Sequence, residues 1–562
     1  MFAILLTLVA VQAAPDDQNL APISVEAHRA VAGEGPWPLT VAESSDFVRS
    51  SRFDEVEAFL AELERLPAGD RLYTEVIGKT AEGLDVVAVT VTAAQTERGE
   101  PIRGNVANVV VNANIHGGEI EGKVATQILL RELALGYHAD LLDELAIAFI
   151  PVFNVDGNDR ISRRNRVSQN GPERGVGERP NALGLDLNRD FVKLESPEVQ
   201  ALTWLVGRLD PIAFFDLHTT NGSAHGYDLT YSPSLSPNAN PLLDEYARAT
   251  LFPGVRAELA ERAGISVFDY GNFSYPPREP GSRGERGDPI AWSTYDSRPR
   301  FGTNLMGLRD CVSILSEAYS YLPYDRRVAA TYAFVLECLR GIARDRAEIE
   351  RRIASSRAAR MADGGAPAWT LGVDCELAPG DSVPVRVGRI ETTVVDVDPD
   401  AEGVQEGRRR SAAGPVRDVS MEVRSSFRAT REVPVGAAFV VFDPTPKVIR
   451  ALQIHLGAWP IRSDTSMTVE VRRFLIEEAR RADRPFQGHR EMTVTGAWRT
   501  ETTEVPTGAL IVPCTPLTAH LLHPESDDSL TTWNYFDDQL TAGAPHPVAI
   551  SDVIFPSDED DR

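Results

Sequence analysis

His116 and Glu119 stand three residues apart across Gly117-Gly118, directly after the run Val109-Val110-Val111-Asn112-Ala113-Asn114-Ile115. On a tight strand-to-helix turn, an imidazole and a carboxylate at that spacing can point at one ion. The two glycines permit the unusual backbone and close approach this needs. His218 ends a second run, Phe214-Phe215-Asp216-Leu217, and completes a His, Glu, His set. Three protein ligands with a fourth position open to water are the count of catalytic rather than structural zinc. Glu317 ends a third run, Val312-Ser313-Ile314-Leu315-Ser316. Beside a metal-activated water it could take a proton and pass it to a leaving amine. Each feature alone is weak, because a lone His after a strand is commonly a hydrogen-bonded core residue. The conjunction points to a site.

Asp186-Leu187-Asn188-Arg189 supplies a second layer. A ligating His usually donates its other N–H to a carboxylate, so Asp186 is a candidate partner for His116. Asn188 and Arg189 offer an amide and a guanidinium suited to capturing a carboxylate. Taken alone, the four residues read as a turn with a surface ion pair. Arg298 and Arg300 precede Glu317 on a loop and admit two readings: a pocket for an acidic side chain, or structural ion pairs.

The elements that position these residues alternate between strand and helix. Leu84–Val91, Val106–Asn112, Leu145–Phe153, Pro211–Leu217 and Cys311–Ser316 read as strands. Phe53–Leu63, Glu119–Leu135 and Ser196–Leu209, with Ser196 as cap and Pro197 in the first turn, read as helices, and a long helix follows over Arg326–Arg357. Such alternation predicts an α/β domain with a mixed, mostly parallel sheet flanked by helices, in which ligands bind outside the carboxyl ends of the strands. After Met361 short β-branched runs between turn residues predict a second, β-rich domain, with helices over Lys447–Leu456 and Thr515–Leu522. The expected boundaries are 45–358 and 366–556. Asp398–Pro415, with Arg408, Arg409 and Arg410, reads as a solvated loop. Asp527-Asp528-Ser529 and Trp533 read as a capped helix and a core aromatic.

The chain has 562 residues, too many for one ordinary core. Its 82 acidic against 57 basic side chains leave a net charge of −25, which disfavours nucleic acid and anionic membrane surfaces. Four Cys without a CxxC exclude thiolate zinc sites and dense disulfide scaffolds. Phe2–Val11 is apolar over the length of a signal h-region, and Val11-Gln12-Ala13 supplies a small-residue cleavage site. Residues 1–14 therefore read as a signal peptide, although no Lys or Arg precedes the run, and a secreted or periplasmic location is expected. No segment reads as a membrane span.

His116-Gly-Gly-Glu119, Asn154-Val-Asp-Gly157, Asp186-Leu-Asn-Arg189, Asp216-Leu-His218 and Ser316-Glu317-Ala-Tyr319, in this order, resemble the zinc carboxypeptidase family. The likeness spans roughly residues 50–350. Around Asp186-Leu-Asn-Arg189 it is similar to carboxypeptidases D and E, and the C-terminal region resembles the extra domain of some bacterial members. The resemblance implies an α/β/α carboxypeptidase fold and one zinc per chain, held by His116, Glu119 and His218. It implies Glu317 as general base, and Asn188 with Arg189 as the binders of the substrate's terminal carboxylate. For the arginine that stabilises the oxyanion it implies Arg179, with Arg163, Arg164 and Arg166 as alternatives. For the family's mobile tyrosine it implies Tyr295, with Tyr275 as rival. Asp190-Phe191-Val192-Lys193 departs from the Asn-Phe-Pro that D/E-type enzymes tend to carry.

The expected function is hydrolysis of a C-terminal peptide bond. A zinc amidohydrolase acting on N-acyl amino acids or cell-wall peptides is the nearest alternative, and an inactive binding module the remotest. Either enzyme would take a substrate with a free carboxylate.

Overall fold

The computed structural model describes residues 37–93, 106–220, 222–277, 287–360, 369–398 and 405–552. The expected signal peptide lies outside them. Up to Tyr319 the described strands are β1 (Leu72–Lys79), β2 (Asp85–Val91), β3 (Ala107–Ala113), β4 (Leu145–Ile150), β5 (Ala213–Thr220), β6 (Leu229–Ser232), β7 (Val267–Asp269), β8 (Asn272–Ser274), β9 (Ala291–Ser293) and β10 (Val312–Tyr319). All but β8 and β9 form one eight-stranded sheet in the order β1-β2-β4-β3-β5-β10-β6-β7. Its centre, β4-β3-β5-β10, is parallel, and antiparallel pairs flank it. Strands β3, β4 and β5 are buried almost throughout, which is why they read as continuous apolar runs rather than alternating ones.

Helices cover both faces. Glu121–Leu135, Phe252–Ala263 and Tyr324–Arg344 bury their apolar sides in one core. The other core is built by Pro197–Leu209 and Gly302–Gly307. The helix Pro197–Leu209 starts where expected. The Ser196 hydroxyl accepts from the Val199 amide, and Asp190 in turn accepts from the Ser196 amide at 2.7 Å and hydroxyl at 2.6 Å. The helix expected over Arg326–Arg357 is instead two, Tyr324–Arg344 and Arg346–Arg360. Between them Asp345 leaves the helical conformation and accepts a hydrogen bond from the Tyr246 hydroxyl at 3.0 Å.

The β-rich region follows, with β11 (Thr370–Leu377), β12 (Ser382–Asp396), β13 (Glu406–Arg424), β14 (Phe427–Pro434), β15 (Ala438–Val441), β16 (Ile461–Arg462), β17 (Met467–Arg481), β18 (Met492–Val505), β19 (Leu510–Pro513) and β20 (Pro545–Ser551). Six of these form a second sheet, β16-β19-β15-β20-β17-β18, while β12 and β13 extend β9 and β8 into a four-stranded sheet. The core beneath helix Pro197–Leu209 is continuous with this region: Val199, Leu202 and Val206 share it with Phe439, Val448, Leu452 and Ile550. The helix Pro446–Leu456 approaches so closely that a Cβ on Gly207 would stand 2.9 Å from the Gly457 Cα.

Two further segments also differ from what their sequence predicts. Glu406–Pro415 is not a loop but the first half of β13, paired with β12; both faces are largely solvated, so no apolar alternation marks the strand. Asp527–Trp533 forms turns, not a capped helix. Asp528 has a left-handed backbone (φ 54°) and accepts from the indole of the buried Trp533 at 3.0 Å.

Candidate active site

The turn from β3 into the helix Glu121–Leu135 is held by Asn114. Its φ is 62°, and its amide donates to the carbonyls of His116 at 3.2 Å, Gly117 at 3.3 Å and Glu119 at 2.9 Å. A Cβ on Gly117 would stand 2.3 Å from the Gly157 carbonyl carbon, so only glycine lets the two turns touch. This brings Asn154-Val155-Asp156-Gly157 against the site, where the Asn154 side chain accepts from the Gly157 amide at 2.9 Å.

His116 and His218 present Nδ1 to the same Glu119 oxygen, at 3.1 and 3.0 Å. Their outer nitrogens face carboxylates: His116 Nε2 lies 3.1 Å from Asp186 and His218 Nε2 lies 2.9 Å from Asp216. All three residues are buried, and their ligand atoms lie within 4.8 Å of one another, a group that could hold a metal ion. Two histidines fixed from behind by carboxylates, with inner nitrogens facing a third ligand, are the donor set of a hydrolytic zinc site. Asp216, two residues before His218, is a partner that the motif reading does not single out. The signal was present, since residues i and i+2 of a strand share a face.

Glu317 lies opposite His218 in the parallel pairing of β5 and β10. With Asn188, Arg189, Tyr270, Tyr295, Phe301, Arg166 and Arg179 it lines one cavity of about 300 Å³ that also contains His116, Glu119 and His218. Burial, reinforced by the charge of Glu119, pushes the Glu317 carboxyl up to about 8 despite His218 and two arginines. Burial raises Glu119 too, but His116 and Arg166 outweigh it and hold that carboxylate well below its usual range. For His218, Asp216 and Glu119 overcome burial and favour the charged ring.

The two candidate arginines differ in what they hold. Arg166 spends all three nitrogens: Nε donates to Gln169 at 2.8 Å, Nη1 to Glu119 at 2.9 Å and Nη2 to the Thr219 carbonyl at 3.0 Å. Arg179 grips Asp186 with Nε and Nη2 at 3.0 and 2.8 Å, leaving Nη1 3.3 Å from His116 Nδ1 and 3.6 Å from Glu119. Arg164 turns away to Asp398, and Arg163 does not line the cavity.

Arg189 donates to the Asn188 carbonyl at 2.7 Å and stacks on Phe301. Burial and the charge of Arg179 lower its pKa. The Asn188 side-chain oxygen accepts from the Gly302 amide at 2.9 Å, and its nitrogen stands 3.2 Å from His218 Nε2, the atom that also faces Asp216. Tyr295 lines the cavity with its hydroxyl 3.0 Å from that of Thr303, whereas Tyr275 does not line it. Tyr270, unsuspected from sequence, lines it too and meets Tyr295 edge to face. Arg298 pairs with Asp296, and Arg300 with Asp528 at 2.9 Å and Glu491 at 2.7 Å, so both serve ion pairs outside the cavity.

Residues 56–250 match the family model described as zinc carboxypeptidase, which bears out the resemblance carried by the ordered motifs. Zinc is the metal that this description names, and the His-Glu-His group fits it. Carboxypeptidase D of Drosophila melanogaster is 28% identical over 212 residues, covering 35% of this chain and only 14% of that protein's length. Among solved structures, a metallo-carboxypeptidase from Burkholderia cenocepacia aligns at 17% identity with a TM-score of 0.38, covering 52% of this chain and 70% of its own. One from Pseudomonas aeruginosa, in complex with (2-guanidinoethylmercapto)succinic acid, aligns at 18% identity with a TM-score of 0.37, covering 53% and 70%. Among the described residues no helix is long and apolar enough to cross a membrane.

Proposed function

We infer that the chain is a zinc-dependent metallocarboxypeptidase that removes the last residue of a peptide with a free C-terminus. The observation that carries this reading is the half-buried guanidinium of Arg189, which makes no ion pair with a carboxylate among the described residues and lines the same cavity as Glu317 and the His116–Glu119–His218 group. Bound to that group, zinc would polarise the scissile carbonyl and lower the pKa of a water molecule. Glu317 takes a proton from the attacking water and returns it to the leaving nitrogen. Arg179 Nη1 stabilises the negative oxygen that develops in the tetrahedral intermediate. Arg189 binds the terminal carboxylate and fixes the distance from chain end to scissile bond, while Asn188 borders the same subsite. Tyr295 and Tyr270 close the cavity wall. Residues 45–358 carry the chemistry, and residues 366–556 form the β-rich region that braces it. The apolar run Phe2–Val11 supports export, which N-terminal sequencing of the mature protein tests.

A cleavage panel read by mass spectrometry tests the reading. Free-acid peptides should lose one residue, and the same peptides amidated should resist. Equal cleavage of both overturns the carboxypeptidase assignment. Turnover confined to N-acyl amino acids or cell-wall peptides makes the chain an amidohydrolase on the same residues.

A further inference from the structure

The ribbon β17–β18 ends beside the site. Phe486 and His489 exchange two backbone hydrogen bonds, at 2.7 and 2.9 Å, around the two-residue turn Gln487-Gly488. Both turn residues have positive φ, 46° and 81°. That pairing is the requirement of a type I′ hairpin turn, whose first position favours Asn, Asp or Gly. Glutamine is a poor choice for it, since its longer side chain gains nothing from the local backbone.

What Gln487 gains is reach. Its side-chain oxygen accepts a hydrogen bond from the backbone amide of Asp186 at 3.2 Å, across 301 residues of sequence. The Asp186 carboxylate, in turn, faces His116 Nε2, holds Arg179 through two nitrogens and accepts from the Asn188 amide at 3.0 Å. The turn is itself anchored on either side. His489 pairs with Glu195 at 2.6 Å, and the Arg300 guanidinium lies over the Phe486 ring at 4.9 Å.

We propose that Gln487 is a positioning residue of the active site: a turn of the C-terminal region accepts a disfavoured backbone so that its side chain can fix Asp186 and, through it, His116 and Arg179. The proposal rests on the reading of His116 as a metal ligand. Asp186 acts on the metal through His116, where outer partners of this kind are worth 10–100-fold in affinity. Gln487 is one contact further out, so its loss should weaken zinc binding by about three- to tenfold, near or below the lower end of that range.

Three variants separate position from fold. Gln487→Gly relaxes the turn and removes the contact; Gln487→Met keeps the length and removes the acceptor; Gln487→Glu keeps an acceptor. By chelator competition, the Gly and Met variants should bind zinc about three- to tenfold more weakly than wild type, and the Glu variant should stay closer to it. The Gly variant should do so while melting at or above the wild-type temperature, which a merely structural role would not produce. Hydrogen exchange across residues 183–190 of the metal-free protein should accelerate in the Gly and Met variants. Wild-type exchange and wild-type zinc affinity in both would overturn the proposal. A wild-type protein that binds no zinc would instead sink the metal reading, leaving the exchange result to decide whether Gln487 holds Asp186.

Discussion

The guanidinium carbon of Arg189 lies over the ring of Phe301, 4.1 Å from its centre, and both residues line the cavity. The ring contacts the guanidinium without pairing its charge, and although Asp186 and Asp296 act on it from a distance, neither forms an ion pair with it, so its charge can meet a ligand. Arg189→Ala should therefore lower kcat/KM on free-acid peptides by about 10–100-fold, the worth of a hydrogen bond to a charged group, and barely change cleavage of amidated ones. Arg189→Lys should recover little, because an ammonium neither forks nor stacks. Equal losses on both substrate forms would place Arg189 outside substrate binding.

Glu317→Gln preserves shape and the parallel register with His218 while removing the proton acceptor. At least about 10² in kcat should vanish, with zinc content and melting temperature retained. Metal-loaded Gln variant turning over at the wild-type rate would move the base elsewhere.

The carboxylates behind the histidines make a graded prediction for metal retention. His116→Ala or His218→Ala should abolish stoichiometric zinc, since among the described residues the group offers three ligands and each loss leaves two. Asp216→Asn and Asp186→Asn should keep it, with affinity lowered about 10–100-fold. Competition with a chromophoric chelator reads all four. Should Asp216→Asn bind as wild type, the 2.9 Å contact to His218 contributes nothing to the metal.

Acid stability follows from histidines away from the site. Burial lowers His225, His455 and His546 to about 3 and His523 to about 4. In three of them Nδ1 accepts from a backbone amide two residues on: His225 from Tyr227, His523 from Glu525 and His546 from Val548. Those bonds require a neutral ring. The unfolded chain protonates these groups near 6.5, so their contribution is full above that pH and is lost as pH falls toward 3–4, at up to about 1.4 kcal/mol per pH unit for each. Melting temperature should thus begin to fall below about pH 6.5, before most carboxylates titrate. His546→Gln should flatten that limb; a melting temperature constant from pH 6.5 to 5 would contradict the argument.

What was legible in sequence is what lies at strand ends. His116, His218 and Glu317 each follow an apolar run, and a parallel sheet brings the ends of its strands to one edge, so local pattern and topology together suffice. Asp186 was legible through its chemistry beside Asn188 and Arg189. Other features carry no such signal. Tyr270 sits on a connection with no periodicity. The first half of β13 has neither face in a core, so nothing in its side chains announces a strand. Arg300 finds Asp528 from 228 residues away, a pairing that no local signal carries.

The shared core and the bracing turn also order events in time. A ribosome releases Glu317 well before Gln487 and the strands of the second sheet, and at about 5–20 residues per second the interval is on the order of ten seconds or more. Until Phe439 and Leu452 emerge, the face of helix Pro197–Leu209 that ends up against them lacks its cover. The nascent chain therefore carries its hydrolytic residues in an unfinished frame. A ribosome-bound chain stalled before β17 should be a chaperone client without peptidase activity, and the last strands to emerge would switch the enzyme on.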